Sequence, residues 1–376
     1  MRGNPQFSVL LYHRTEEKSI WGEKIVKIAV IGYGGMGSYH ASCLKEFAAG
    51  GGAGLGLAGV YDIDPARMRA AEADGLRCFA SADAIWSDRS VGAVLIATPN
   101  DVHAEYAAKA AAAGKHILCE KPIGLSLRQA EKMYAAAERA GVVLAVHQNR
   151  RWDDDFLTVK QIVAEGSIGE AYRIESRVMG GNGIPGAWRK ERARGGGMML
   201  DWGVHLIDQM LQMACSPVRS LYCEYSYIYG EEVDDGFRLS VRFENGIEYL
   251  VVVATDCFRR LPRWQVYGTE GTATIGDWDL SGGITHAHVR HDDKIAGIRA
   301  GNGFTRTMAP RVGDTVEELP LPRAHAEPFA FYKNFAAACA GKAPCVIRKE
   351  EVLRVFRLME AAERSARENI VIKEEI

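Results

Sequence analysis

The chain has 376 residues, 47% of them hydrophobic and 25% charged, and a formal net charge of -2 at pH 7. That length exceeds one ordinary domain and points to two, while the near-neutral balance gives no sign of a nucleic-acid or membrane-surface partner. No run approaches the ~18 apolar residues of a membrane span, and the eight cysteines show neither a C-x-x-C pair nor zinc spacing, so free thiols in a reducing, cytoplasmic compartment are expected.

Residues 1–23 hold one short apolar stretch and read as a tail ahead of the folded chain. Over residues 24–148, continuous apolar runs alternate with amphipathic segments. A strand at 25–31, buried on both faces, leads through a glycine turn into a helix over 36–48. A Gly/Ala-rich loop at 50–56 precedes a strand at 57–61, and Pro65 opens a helix over 66–73. Further strands are expected at 93–97, 116–119 and 142–146, with Ala-rich helices over 103–113 and 127–140 closed by Gly114 and Gly141. This alternation predicts a doubly wound parallel sheet with helices on both faces.

The pattern changes after Gln148. Helices are expected over 156–165 and 198–213, with a strand at 171–178 between them. Four segments, 218–229, 236–244, 247–255 and 264–268, alternate polar and apolar residues as an antiparallel sheet with one face on helices requires. Residues 281–325 are polar and rich in Gly and Pro, and no element can be placed there. Amphipathic helices close the chain over 327–340 and 350–368. The fold class is therefore α/β: a parallel-sheet domain over 24–148, then a second α/β domain over 149–376 with a large, mostly antiparallel sheet, whose last helix can pack back on the first domain.

G-x-G-x-x-G occurs at Gly32-Tyr33-Gly34-Gly35-Met36-Gly37, after an apolar strand and at the start of a helix. Gly32 permits the turn, Gly34 lets a pyrophosphate approach the backbone, and Gly37 lets helix and strand pack closely. Asp62 ends the next strand, where a carboxylate accepts bonds from ribose hydroxyls and repels a 2′-phosphate, favouring NAD over NADP. It lies 30 positions after Gly32 rather than the usual ~20, an excess the 50–56 loop accounts for. Asp64 is the alternative ribose ligand, and Arg67 is close by.

Three further stretches carry a resemblance: Ala97-Thr98-Pro99-Asn100-Asp101-Val102-His103, Cys119-Glu120-Lys121-Pro122, and Gly195-Gly196-Gly197-Met198-Met199-Leu200-Asp201-Trp202-Gly203-Val204-His205. With the glycine loop, the chain from Lys24 onward resembles the glucose–fructose oxidoreductase / inositol dehydrogenase (Gfo/Idh/MocA) family. The resemblance implies a Rossmann domain followed by a domain built on a large open sheet. It also implies NAD or NADP bound between them, oxidation or reduction of hydroxyls on sugars and polyols, and homodimers or homotetramers formed through the open sheet. The family's catalytic Lys, Asp and His fall on Lys121, Asp201 and His205.

The residue chemistry agrees with that reading. Hydride transfer from a carbinol needs a base and a cationic group at its oxygen, and no metal. His205 suits the base, Lys121 stands just past a strand's carboxyl end where ligands bind in open sheets, and Asp201, four residues before His205 on a helix, can orient substrate or imidazole. Thr98, Pro99, Asn100, His103, Glu120, Lys121 and Asn149 are expected at the nicotinamide half of the cofactor. Arg151, Trp152, Trp188 and Arg189 are expected at the substrate, with domain-interface packing as the alternative for both tryptophans. The Lys121–Pro122 bond can be cis. Two other functions remain open at this level: transient oxidation with elimination that cleaves a glycoside, and a non-catalytic nucleotide or ligand sensor.

Overall fold

A computed structural model describes residues 25–186, 188–288, 295–311 and 313–376. The tail expected at 1–23 lies outside these residues. The first part runs β1 (Val26–Ile31), α1 (Gly35–Ala49), β2 (Leu55–Tyr61), α2 (Pro65–Ala73), α3 (Ala82–Ser87), β3 (Ala93–Ile96), α4 (His103–Ala112), β4 (His116–Cys119), α5 (Leu127–Ala140) and β5 (Leu144–Val146). Its five strands pair in parallel in the order β2-β1-β3-β4-β5. Ile28, Ala29, Val30 and Ile31 are all buried, because helices cover both faces of this sheet and polar residues have no solvated side to occupy.

The second part runs α6 (Asp154–Glu165), β6 (Ala171–Met179), a π-helical turn (Met199–Gly203), α7 (Val204–Ala214), β7 (Val218–Ser226), β8 (Gly236–Phe243), β9 (Glu248–Ala254), β10 (Trp264–Gly268), β11 (Gly271–Ile275) and β12 (Gly282–Ala287). A hairpin of β13 (Ile298–Ala300) and β14 (Gly303–Thr305), β15 (Val316–Leu319), α8 (Ala330–Cys339) and α9 (Lys349–Glu368) follow. Eight strands form one sheet in the order β15-β12-β11-β10-β6-β9-β8-β7, antiparallel except for the β6–β9 pair. In β8 the side chains of Phe237, Leu239, Val241 and Phe243 are buried while Arg238, Ser240 and Arg242 face solvent, the period-2 pattern of a sheet covered on one side. The region 281–325 that gave no sequence periodicity supplies β12, the hairpin and β15.

The C-terminal helices join the two cores. Phe331, Tyr332 and Phe335 of α8 sit in the core of the parallel sheet. Along α9, Val352, Leu353 and Phe356 enter that same core, whereas Val355, Leu358, Met359 and Ala362 enter the core of the large sheet. Fully burying one such Phe or Leu contributes about 1.5–3 kcal/mol, so α9 ties the halves together along its length. Among the described residues, no helix is long and apolar enough to cross a membrane.

Candidate active site

The glycine loop is shaped by close contacts. A Cβ on Gly37 would stand 1.7 Å from the Gly32 carbonyl oxygen, and one on Gly32, whose φ is +93°, 2.5 Å from the Ala97 oxygen. Gly35 has open space around it, and no side chain caps the first turn of α1. This leaves a helix N-terminus that is open at Gly35 and has the Arg67 guanidinium over Gly34, which suits a pyrophosphate. Asp62 closes the loop from β2: its carboxylate accepts the Tyr33 N–H at 2.6 Å and the Asp64 N–H at 2.8 Å, with Arg67 Nη1 at 3.3 Å. Asp64 is occupied as the N-cap of α2, accepting the Ala66 N–H at 2.8 Å. Thr98, just beyond β3, has a buried hydroxyl oxygen with no partner among the described residues, which suits a further cofactor contact.

Lys121 follows β4, and its bond to Pro122 is cis. Its ammonium crosses to the second half, donating to the Asp201 carbonyl at 2.9 Å and to Asp201 Oδ1 at 3.0 Å. Arg189 Nε lies 3.6 Å from Asp201 Oδ2. Burial pushes the Asp201 carboxyl up, but Lys121, Arg189 and Arg150 outweigh it and hold the group below its ordinary value. Asp201 sits in the π-helical turn and His205 just beyond it in α7, so the oxygens of Asp201 face Lys121 and Arg189 rather than the imidazole. A π turn inside a helix is frequently a functional device. His205 is 4% exposed, and its Nδ1 is buried with no partner among the described residues. Burial, then the charges of Lys121 and Arg150, push its pKa well below the ordinary value, so the ring is neutral at neutral pH. Arg150 stacks 4.3 Å over the Trp202 ring, reaches towards Trp278 at 5.8 Å, and donates to Asp153 at 2.7 Å.

A cradle for a dinucleotide, an ammonium from the first half and a neutral imidazole from the second thus lie together. Residues 26–148 match the family model described as "Oxidoreductase family, NAD-binding Rossmann fold", and residues 156–274 match the "GFO/IDH/MocA C-terminal domain". The chain belongs to the Gfo/Idh/MocA oxidoreductase family. Among solved structures it is similar to an NAD-binding protein from Listeria innocua, with a TM-score of 0.89 and 43% identity over 93% of this chain and 100% of that one. Among curated relatives it is similar to scyllo-inositol 2-dehydrogenase (NADP(+)) IolW of Bacillus subtilis, 25% identical over 92% of this chain and 95% of that one. It is also similar to 1,5-anhydro-D-fructose reductase of Ensifer adhaerens, 34% identical over 51% of this chain and 59% of that one.

Within this Gfo/Idh/MocA fold, several expected ligands turn out to be engaged elsewhere. Arg151, expected at the substrate, is buried in the interface instead: Nε and Nη2 meet both oxygens of Asp208 at 2.7 and 2.6 Å, and Nη1 meets Glu351 at 3.0 Å. Trp152 packs edge-on against Phe331, with ring centroids 5.9 Å apart, in the parallel-sheet core rather than in the cleft. Asn100, expected at the nicotinamide, donates to the Gly195 carbonyl at 2.9 Å and clasps the two halves. His103 is fully buried, its ring nitrogens 2.9 Å from the carbonyl oxygens of Pro122 and Thr98, where it joins the two loops beyond β3 and β4. Glu120 is held by two histidines, His40 and His147. Tyr33 contributes its backbone to the loop, while its hydroxyl donates to Asp74 at 2.7 Å; burial and Asp74 push the phenol up to about 12. Met36, Asn149 and Pro99 remain partly exposed beside the cradle, and Arg189 stacks 4.5 Å over Trp188. Arg150, Trp202 and Trp278 are the cleft residues that sequence reasoning left out of the site.

The π-helical turn that carries Asp201 has one more support. Asp234, 7% exposed, accepts the Met199 N–H at 2.8 Å, and its backbone carbonyl accepts the Met198 N–H at 3.1 Å. The approach requires glycine at 197, whose φ is +98° and whose Cβ would lie 2.2 Å from Asp234 Oδ1. Burial pushes the Asp234 carboxyl up to about 7 despite these N–H contacts. The native state therefore keeps a proton that the unfolded chain loses near pH ~4, so stability falls as pH rises from about 4 to about 7 and is level above. An Asp234→Asn chain is expected to melt higher than the parent near pH ~8 and to lose this slope, by up to roughly 4 kcal/mol. Calorimetry across that range checks it, and parallel pH profiles for the two proteins would contradict it.

Proposed function

We propose that the chain is an NAD-dependent dehydrogenase that moves a hydride between a secondary carbinol of a polyol or sugar and nicotinamide. The observation that carries this is the pairing of Lys121 with Asp201, four residues before His205, whose neutral form burial and the Lys121 charge favour. Bound NAD supplies the hydride acceptor. Lys121, kept in place by Asp201, donates a hydrogen bond to the carbinol oxygen and stabilises negative charge there. His205 takes the carbinol proton at Nε2, the ring nitrogen that is not sealed from the cleft. Its lowered basicity suits a late transfer: the O–H becomes strongly acidic only as the C–H bond breaks, so a weak base suffices at that moment. Asp201, held ionised by its cationic neighbours, keeps Lys121 aimed. The aromatic and cationic wall of Trp202, Trp278, Arg150 and Arg189 offers ring faces and N–H donors to a polyhydroxylated ring.

The polyol reading draws support from the printed names of IolW and the anhydrofructose reductase. Screening inositols, aldoses and glycosides with NAD for NADH absorbance tests it. Steady NADH formation with at least one inositol or sugar is expected; consumption of a glycoside without net NADH would point instead to oxidation and elimination.

Asp62 supports NAD over NADP, because a 2′-phosphate beside its buried carboxylate meets like charge. Arg67, packed over Gly34, is the cation that would favour NADP once that carboxylate is gone. Asp62→Ser is expected to shift the kcat/KM ratio towards NADP by about tenfold, equivalent to ~1.4 kcal/mol; an unaltered ratio would count against this assignment. The eight free cysteines suit a cytoplasmic setting. We also infer self-association through the uncovered face of the eight-stranded sheet, where Tyr172 and a mixed row of Arg173, Arg238, Arg242 and Glu248 face outward.

A further inference from the structure

Beneath the proposed site lies a buried polar group that the chemistry above does not use. Glu120 Oε1 stands 2.7 Å from His40 Nε2 and 2.7 Å from His147 Nδ1. Its other oxygen, Oε2, accepts the backbone N–H of Lys121 at 3.1 Å. On the far side of His40, Nδ1 meets the Tyr332 hydroxyl at 2.6 Å. His40 is fully buried, and Glu120 and His147 are each 4% exposed. The four side chains come from α1, the end of β4, the end of β5 and α8, so the cluster joins the cofactor-binding helix, two strand ends and the C-terminal return.

The hydrogen placement follows from what each group can do. An ionised carboxylate only accepts, so both imidazole atoms that face it must carry hydrogen: Nε2 of His40 and Nδ1 of His147. In neutral His40 the remaining Nδ1 is then an acceptor, and the Tyr332 O–H donates to it. Burial alone pushes the Glu120 carboxyl up, but His147 and His40 outweigh it and hold it well below the ordinary range. Every contact of the cluster is satisfied with Glu120 charged, and three N–H groups fix that carboxylate in one orientation.

We propose that Glu120, His40, His147 and Tyr332 form a positioning network that fixes the backbone of Lys121, so that its ammonium meets the carbinol oxygen. This rests on the assignment of Lys121 to catalysis made above. Glu120 is a positioning residue here and not a ligand of the nicotinamide half of the cofactor. The same three side chains, His40, Glu120 and His147, have the donor types of a metal site, with ligand atoms within 4.8 Å of one another. However, contacts of 2.7 Å between both imidazoles and one carboxylate oxygen are those of hydrogen bonds, in which the two ring nitrogens present N–H groups, not lone pairs, to the carboxylate.

The test compares Glu120→Gln, Tyr332→Phe and Lys121→Ala in the full chain. It uses the polyol of highest turnover from the panel above as substrate and fluorescence titration for the dissociation constant of NAD. Glu120→Gln presents an amide N–H to a neighbouring N–H and is expected to lower kcat at least tenfold. Tyr332→Phe removes one hydroxyl remote from the cleft and is expected to lower kcat about threefold. In both, the NAD dissociation constant stays within twofold. Should Glu120→Gln fail to fold, Tyr332→Phe decides alone: a kcat within twofold of the parent overturns the network. It is equally overturned if NAD affinity falls in step with kcat in Glu120→Gln while Tyr332→Phe is silent, which is the signature of a direct cofactor contact. A stoichiometric metal found by elemental analysis in the parent and lost in Glu120→Gln overturns it as well. An inactive Lys121→Ala beside a fully active Glu120→Gln refutes the network alone, whereas an active Lys121→Ala refutes the catalytic assignment itself.

Discussion

Lys121→Ala and His205→Ala are each expected to lower kcat by about 100- to 10,000-fold, the range of a positioned acid–base group, while NAD binds as before. The ammonium and the imidazole act on the same oxygen, so the double variant should lose much less than the product of the two single losses. Neither side chain belongs to the glycine cradle, and for that reason the NAD dissociation constant should hardly move. The two variants should differ in stability. Lys121→Ala frees Asp201 from its nearest cation, yet Arg189 remains at 3.6 Å and Asp201 keeps some access to water, so a modest loss is expected. His205→Ala removes a buried imidazole whose Nδ1 has no partner among the described residues, so only its packing is lost. Stopped-flow or steady-state kinetics with NAD titration reads all of these quantities; turnover unchanged in either variant would contradict the assignment of that residue.

The second large effect separates two neighbouring arginines. Arg151→Met removes the one cation among the described residues that meets both oxygens of Asp208, a carboxyl that is 2% exposed and that burial pushes up. Breaking a buried pair in this way costs about 3–5 kcal/mol, because one charge stays behind in the interior. The same change releases Glu351 of α9, which still has Arg348 as a partner. Replacing the pair together, as Arg151→Met with Asp208→Leu, should recover most of the loss, since an apolar pair of similar volume avoids the desolvation cost. Arg150→Met should do the opposite: its side chain is a quarter exposed and stacks on Trp202 in the cleft, so turnover falls with little change in melting. Chemical denaturation and kcat for the four proteins check this contrast. A cost below about 1 kcal/mol for Arg151→Met would show that the pair is a surface-like contact.

These two arginines also show where sequence reading stops. The glycine loop was legible because its spacing answers to steric demands within a dozen residues, and the strand–helix alternation because two-sided burial leaves a continuous apolar run. Lys121, Asp201 and His205 came from motif spacing, and the structure places them side by side. Arg150 and Arg151, however, lie in a 3-10 turn, Asn149–Trp152, where one residue step rotates the side chain by about 120°. No periodicity tells which of the two faces the cleft. The partners of Glu120 are hidden in the sequence for a different reason. A carboxylate beside a catalytic lysine suggests a ligand, but its partners His40 and His147 lie 80 and 27 residues away, and Tyr332 lies 292 residues from His40. The strands β11, β12 and β15 are short and rich in Gly, Thr and Glu, and they become strands through successive pairing outward from β10 rather than through their own pattern. The amphipathic character of α9 was visible, but not that its apolar residues divide between two cores.

A crystal structure of the chain with NAD and an inositol or sugar selected by the absorbance screen tests the central claim most directly. The carbinol oxygen should stand within about 3 Å of both Lys121 Nζ and His205 Nε2, with its carbon against C4 of the pyridine ring. A carbinol reached by neither group, or a pyridine ring lying away from both, would contradict it.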